Sequence, residues 1–291
     1  MKIIVIGSKG MLGRDLMPRL KAKGLNVRGF DIDELDITRS DKILPCFVPF
    51  DPDVVINCAA YTAVDKAESE PELAFAVNSE GPANLANACK ELNIPFIHIS
   101  TDYVFDGNGE KPYCEDDPVN PLGVYGRSKW GGEEAVRSRL KEHLIVRTSW
   151  LYGVHGNNFV KTILRLCREK EELSVVADQK GCPTWTGDLS NALVELIDRI
   201  KNRSVSMPWG TYHFCGSGST SWYEFARAIV EEARKRETFG LLRVLPITTS
   251  EYPTPAKRPM RSVMDCRKIQ ETFDIHPKQW EKSLGHFWRR P

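Results

Sequence analysis

Short, β-branched apolar runs separated by amphipathic stretches set the plan of the first half of the chain. Residues 2–6 carry a buried-strand pattern, and apolar positions at helical spacing follow through Leu20. Residues 25–30 and 53–57 repeat the strand pattern. Between 71 and 92, Leu73, Phe75, Ala76, Ala83, Leu85, Ala86 and Cys89 give one apolar stripe, which predicts a core-facing helix. A fourth strand at 94–99, a polar, proline-bearing loop at 106–123 and a helix from Tyr125 to about Leu140 complete the alternation. Strand and helix in turn predict an α/β fold with a doubly wound parallel sheet. The second half mixes helices at 158–168, 185–200, 222–236 and 265–273 with short strands at 174–177, 211–215 and 242–247, without a repeat. It reads as a smaller C-terminal α+β lobe.

The chemistry-bearing residues fall where such a sheet exposes its strand ends. Gly7, Gly10 and Gly13 lie between the first strand and the first helix. Glycines at that spacing allow a tight turn, close approach of a pyrophosphate and close helix–strand packing, as in a Rossmann dinucleotide site. The expected division is therefore a dinucleotide-binding domain over 1–148 and a mainly substrate-binding lobe over 149–291, some segments of which return to the first domain. Asp31, eighteen residues after Gly13 at the end of the second strand, suits the adenosine ribose hydroxyls and points to NADH. Lys9 and Arg14 flank the glycines and could meet a 2′-phosphate, so NADPH and NADH both stay open. Asp36 and Ile37 either border the adenine or, for Asp36, cap the next helix. Ala60, Tyr61 and Thr62 form a small-residue loop after the third strand, at the ligand-binding edge. Asn78 reads as a buried structural amide. Ser100 or Thr101, leaving the fourth strand, could donate to a carbonyl oxygen. Tyr125 and Lys129 sit one helical turn apart on one face, and an ammonium there would lower the tyrosine pKa from about 10 toward the range of a working acid.

Charge and composition narrow the partners. The 291 residues carry 40 basic and 39 acidic side chains, a net charge of +1, so no bulk field recruits nucleic acid or an anionic membrane. No apolar run has the length of a signal core or a membrane span, and the chain is expected to be cytoplasmic. The eight cysteines form no Cys-x-x-Cys pair, which favours reduced thiols over a zinc site or a disulfide framework.

The glycine turn, the Ser-Thr ending the fourth strand and Tyr-x-x-x-Lys together resemble the extended short-chain dehydrogenase/reductase family. NCAAYTAVDKAE (57–68), STDYVFDG (100–107), RTSWLYG (147–153), GNNFV (156–160), DQKGCPT (178–184) and RPMRSVMD (258–265) are similar to its dTDP-4-dehydrorhamnose reductases, in order and spacing along nearly the whole chain. The resemblance implies reduction of the C4 keto group of dTDP-4-dehydro-β-L-rhamnose by NADPH or NADH. Tyr125 would be the general acid, Lys129 would hold the nicotinamide ribose, and Thr101 would bond the reacting oxygen. Gly10, Met11, Leu12, Asp31, Asp36, Ile37, Ala60, Tyr61 and Thr62 would line the dinucleotide, with Gly7 and Gly13 shaping the turn. Thr101, Asp102, Tyr125, Trp150 and Arg258 would bind the nucleotide sugar, Arg258 at the diphosphate. Some family members are thought to dimerise through glutamates that share magnesium. The basic end of this chain, Trp288-Arg289-Arg290-Pro291, offers no such ligand, so no metal is expected and a homodimer is left open. The alternatives are a non-catalytic regulatory subunit of the methionine adenosyltransferase type and another nucleotide-sugar reductase or epimerase of the same fold.

Overall fold

The computed structural model describes residues 1–202, 207–240 and 243–288. The first half alternates β1 (Lys2–Ile6), α1 (Met11–Ala22), β2 (Asn26–Phe30), α2 (Ser40–Phe47), β3 (Val54–Asn57), α3 (Val64–Ala67), α4 (Pro71–Phe75), α5 (Gly81–Glu91), β4 (Phe96–Thr101), α6 (Val124–Arg139) and β5 (His143–Thr148). Then come β6 (Leu151–Tyr152), α7 (Phe159–Glu169), β7 (Glu172–Val176), β8 (Lys180–Gly181), β9 (Thr184–Trp185), α8 (Thr186–Lys201) and β10 (Gly210–His213). The chain closes with β11 (Thr220–Ser221), α9 (Trp222–Arg234), β12 (Arg243–Ile247), α10 (Arg267–Phe273) and α11 (Trp280–Phe287).

Six parallel strands in the order β2-β1-β3-β4-β5-β10 make the central sheet. Side chains alternate across the strands, so Ile3, Val5 and Ile56 pack under α1 and α8 while Ile4, Ile6 and Val55 pack under α2 and α5. Strand order reverses around β1 and β3, and the crevice at their carboxyl ends is where such sheets bind ligands. A separate core of Val160, Ile163, Leu173, Phe225, Ile229, Trp280 and Leu284 builds the smaller lobe from α7, β7, α9 and α11. Among the described residues no helix is long and apolar enough to cross a membrane.

Three readings of the sequence need correction. The expected single helix over 71–92 is divided: a π-helical segment (Ala76–Glu80) separates α4 from α5. Pro82 has no N–H to continue the α-helical ladder, and the Asn78 side chain instead bonds both backbone groups of Tyr61 and the Ser128 hydroxyl. Asp36 does not cap the helix that follows, which begins at Ser40; its carboxylate closes a local turn by accepting from the Thr38 amide and hydroxyl. The strand expected at 211–215 is not part of the lobe but pairs with β5 as the edge strand of the main sheet, and α8 packs beside α1. The expected strand start at Leu242 lies outside the described residues.

One buried ion pair ties the sheet to α6. Glu133, wholly buried, accepts two bonds from Arg147 Nε and one from Arg147 Nη2 at 2.8 Å, while Arg147 is itself 1% exposed. Burial alone would raise the Glu133 pKa, but Arg147, Arg137 and the Ser100 hydroxyl hold it below the usual carboxylate range. Arg147→Met is expected to cost about 3–5 kcal/mol in urea denaturation, because it leaves a buried carboxylate short of its main partner. The double variant Glu133→Gln/Arg147→Met should lose less than that single one; an equal or larger loss would refute this account.

Candidate active site

The site begins where β1 enters its turn. Gly7 has φ +73°, and a Cβ there would lie 2.6 Å from the Ala59 amide nitrogen, so the loops after β1 and β3 touch through a position open only to glycine. A Cβ on Gly13 would meet the Gly7 carbonyl oxygen at 2.3 Å, which fixes α1 tightly against the turn. Gly10 starts α1 with no side-chain cap, so the first-turn amides are left for an anionic ligand. Asp31 closes the arrangement by accepting the Lys9 amide at 2.8 Å. The turn therefore fits a dinucleotide phosphate: it is free of side-chain bulk and rimmed by amides.

A cleft of about 800 Å³ runs from this turn across the strand ends. Gly7, Gly10, Met11, Leu12, Asp31, Asp36, Ile37, Ala60, Thr62, Thr101, Asp102, Tyr125, Lys129 and Trp150 all line it. Four residues expected at the site from the sequence, Gly13, Arg14, Tyr61 and Arg258, do not. Gly13 lies under the turn. Tyr61 points away, its phenol donating to Glu70 at 2.8 Å while Asn78 holds its backbone. Arg258 lines a second cavity of about 430 Å³, which adjoins the cleft through the shared residues Tyr103 and Trp222. There it pairs with Asp65 at 2.7 Å and bonds Thr254. Lys9 is not free to meet a phosphate either, since its ammonium contacts Asp33 at 2.5 Å and Glu34 at 2.9 Å. Arg14 Nε donates to the Lys9 carbonyl at 2.8 Å.

The helix α6 carries Tyr125 and Lys129 over the end of β4. Close packing makes this position possible: a Cβ on Gly126 would lie 2.2 Å from the Tyr103 carbonyl, and one on Gly132 2.1 Å from that of Asn78. Of the two candidate hydroxyls, Ser100 is committed to Glu133 at 2.5 Å, whereas Thr101 stands beside the Tyr125 phenol and donates to Asp102 at 3.1 Å.

Burial dominates the electrostatics. It pushes Tyr125 up to about 12, with Asp102 adding to the rise and Thr101 opposing it. The expected depression by Lys129 is absent, because the ammonium donates to the Ile99 carbonyl at 2.7 Å and is itself pushed down to about 8 by burial. Asp102 is driven up to about 7 by burial, against the opposing Ser262 and Thr101, and its Oδ2 is buried without a bonded partner among the described residues. The arrangement presents a phenol that stays protonated at neutral pH, beside a hydroxyl that can share its proton. That is a proton donor for an oxygen bound in the cleft.

A family model described as the RmlD substrate binding domain matches residues 1–290. The chain belongs to this family. It is 43% identical over 285 residues to the dTDP-4-dehydrorhamnose reductase of Aggregatibacter actinomycetemcomitans, covering 97% of both chains. Among solved structures, a dTDP-4-dehydrorhamnose reductase from Clostridium acetobutylicum superposes with a TM-score of 0.92 at 41% identity, covering 99% of each chain. The enzyme of that name from Bacillus anthracis, in complex with NADP, also gives 0.92, at 38% identity over 99% of this chain and 98% of its own.

In this family member the sequence reading passed over Trp222. Its ring stacks on Trp150 with centroids 3.5 Å apart and planes 6° off parallel, where the two cavities meet. Trp150 is held there at φ +45°, an uncommon conformation for a bulky residue. The available signal was a tryptophan at the start of an expected helix, one residue after the serine that caps it. Among the described residues no cluster of three His, Cys, Asp or Glu side chains could hold a metal ion.

Because the folded pKa of Asp102 lies above the ordinary value of 3.8, this group favours the folded state below about pH 4 and loses that advantage as pH climbs through about 7. Asp102→Asn should remove a decline on the order of 3–4 kcal/mol between pH 4 and pH 8. Denaturation of both proteins at the two pH values checks it; parallel losses would refute the assignment.

Proposed function

We propose that this protein reduces the C4 keto group of dTDP-4-dehydro-β-L-rhamnose to dTDP-β-L-rhamnose with NADPH or NADH, the last step of dTDP-rhamnose biosynthesis. The observation that carries the reading is the Thr101–Tyr125 pair at the edge of a glycine-turn cleft, in a chain that matches reductases of this name over almost its full length. A cytoplasmic location belongs to the same reading.

Gly7, Gly10, Met11 and Leu12 would cradle the pyrophosphate through the turn and the first amides of α1, with Gly13 keeping the helix close. Asp31 would meet the adenosine ribose, Asp36 and Ile37 the adenine, and Ala60 and Thr62 the far wall. Lys129 would hold the nicotinamide ribose. Bound in this way, the reduced nicotinamide supplies the hydride for C4. Tyr125 gives its proton to the C4 oxygen while Thr101 bonds the same oxygen, so the developing alkoxide never has to be stabilised as a free anion. A phenol at about 12 suits this direction of reaction, since it is fully charged with its proton at the start of each turnover. Asp102 would help seat the sugar, Trp150 would lie against it, and Arg258 would take the diphosphate from the side cavity. Residues 149–291 would contribute most of the substrate side.

The decisive assay is loss of NADPH or NADH absorbance on adding dTDP-4-dehydro-β-L-rhamnose. Tyr125→Phe should lower kcat by roughly 10²–10⁴-fold with cofactor binding retained. If the wild type binds cofactor yet oxidises neither form, the reductase reading fails and a non-catalytic subunit of this fold takes its place. The same assay reads the cofactor rim. Asp33→Ala/Glu34→Ala frees the Lys9 ammonium for a 2′-phosphate, and should raise the ratio of kcat/KM with NADPH to that with NADH by roughly 10-fold. An unchanged ratio would exclude Lys9 from cofactor choice.

A further inference from the structure

Three thiols meet in the small core cluster that Val104, Phe105, Tyr113, Val263 and Met264 form behind the end of β4. Cys215, just past β10, is 1% exposed and Cys182 is 2% exposed. Cys266, at the start of α10, is half-buried. The Sγ atoms of Cys215 and Cys266 lie 3.5 Å apart, and the Cys182 thiol stands beside Cys215. None of these sulfurs lines the cleft, and the proposed reduction uses none of them.

The chain between Arg258 and Cys266 runs from the second cavity to this cluster. Ser262 sits beside Asp102, its amide donating to the Lys180 carbonyl at 2.9 Å, and the Asp265 amide donates to the Tyr113 carbonyl at 2.8 Å. At one end Arg258 reaches into the second cavity, and at the other Cys266 touches the edge of the main sheet. The thiol contact joins the end of this segment to the chain just past β10, beside the His213–Asp265 hydrogen bond and the packing of Val263 and Met264 with Cys215.

We propose that Cys215 and Cys266 are an oxidisable pair, whose disulfide staples the 258–266 segment to the sheet edge. The half-buried Cys266 is the thiol a peroxide can reach. Its thiolate attacks one peroxide oxygen, the O–O bond breaks, hydroxide leaves and takes up a proton, and Cys266 becomes a sulfenic acid. The neighbouring Cys215 thiol then attacks that sulfur, the S–O bond breaks and water leaves. Two thiols lose two hydrogens and one hydrogen peroxide becomes two waters. Cys182 is too deeply buried to be oxidised first, and it contacts Cys215 rather than Cys266.

The proposal is independent of the substrate reading, and its test does not use activity, because Cys58 in the cleft could also react with peroxide. Fully reduced full-length protein is exposed to one equivalent of hydrogen peroxide, alkylated and digested, and its melting temperature is recorded with and without dithiothreitol. The expected result is a mass loss of two hydrogens, a Cys215–Cys266 cross-linked peptide, and a Tm raised by roughly 5–10 °C, reversible by the reductant, because the link closes a long loop. Cys266→Ser, at a half-buried position that tolerates serine, should match the reduced wild type in Tm and show neither the cross-link nor the shift. A Cys182–Cys215 cross-link, oxygen added to Cys266 without a cross-link, oxidation confined to Cys58, or a cross-link without a change in Tm would each overturn the proposal.

Discussion

The buried carboxylate of Glu133 is the constraint on which the site depends. Tyr125, Lys129, Glu133 and Arg137 follow one another at four-residue spacing along α6, so a single ridge of the helix carries phenol, ammonium, carboxylate and guanidinium in turn. Glu133 is anchored to Arg147 on β5 and to Ser100 at the end of β4, and Lys129 is anchored to the Ile99 carbonyl one residue earlier. With two successive members of the ridge tied to the strand ends, Tyr125 one turn upstream is brought beside Thr101 at the end of β4. Glycine at 126 and 132 lets the helix approach closely enough for those anchors to reach. These residues weaken α6 as an isolated helix, and packing makes up the difference.

Burial drives the protonation states of Tyr125, Asp102 and Lys129 in the same direction. Tyr125 and Asp102 are pushed up and Lys129 is pushed down, so each is driven toward its neutral form. A dry pocket of this kind cannot generate a phenolate cheaply, but reduction of a ketone needs an acid rather than a base. The lysine then serves better as a hydrogen-bond donor fixed by Ile99 than as a field acting on the phenol. Both residues of the Tyr-x-x-x-Lys pattern line the cleft, but the charge effect expected between them is absent, because desolvation of the phenol outweighs it.

What the sequence made legible was local. Strand patterns at 2–6, 53–57 and 94–99 come from apolar runs buried on both faces, whereas the strand at 25–30 is an edge strand with alternating exposure. The glycine turn was legible because steric demand is local too: Gly7 must adopt a positive φ whatever surrounds it. What periodicity could not show was partnership. The strand at 210–213 looks like any short apolar run, and only the exposed edge of β5 decides that it joins the main sheet. The π-helical segment arises from Asn78 bonding a loop seventeen residues away, a contact no helical wheel contains. Trp222 and Trp150 are far apart in sequence and stack only because the lobe folds back over the strand ends.

The second cavity shows how the lobe and the sheet domain are joined. Arg258 in the lobe holds Asp65 on α3, with side chains 22% and 41% exposed, so the pair is neither sealed from water nor fully open to it. A pair at that exposure contributes little net stability, since water competes for both partners. An incoming diphosphate offers the guanidinium two negative charges and a bidentate geometry in place of one carboxylate. The exchange would release Asp65 to solvent at small cost while drawing Arg258 onto the ligand. In the role proposed for Arg258, a weak resident ion pair would keep the cationic side chain oriented and its charge compensated before ligand arrives, without opposing the ligand once it is there. Tyr103 and Trp222, which line both cavities, make the two spaces one continuous surface, so a molecule held by Arg258 at one end can extend to Thr101 and Tyr125 at the other.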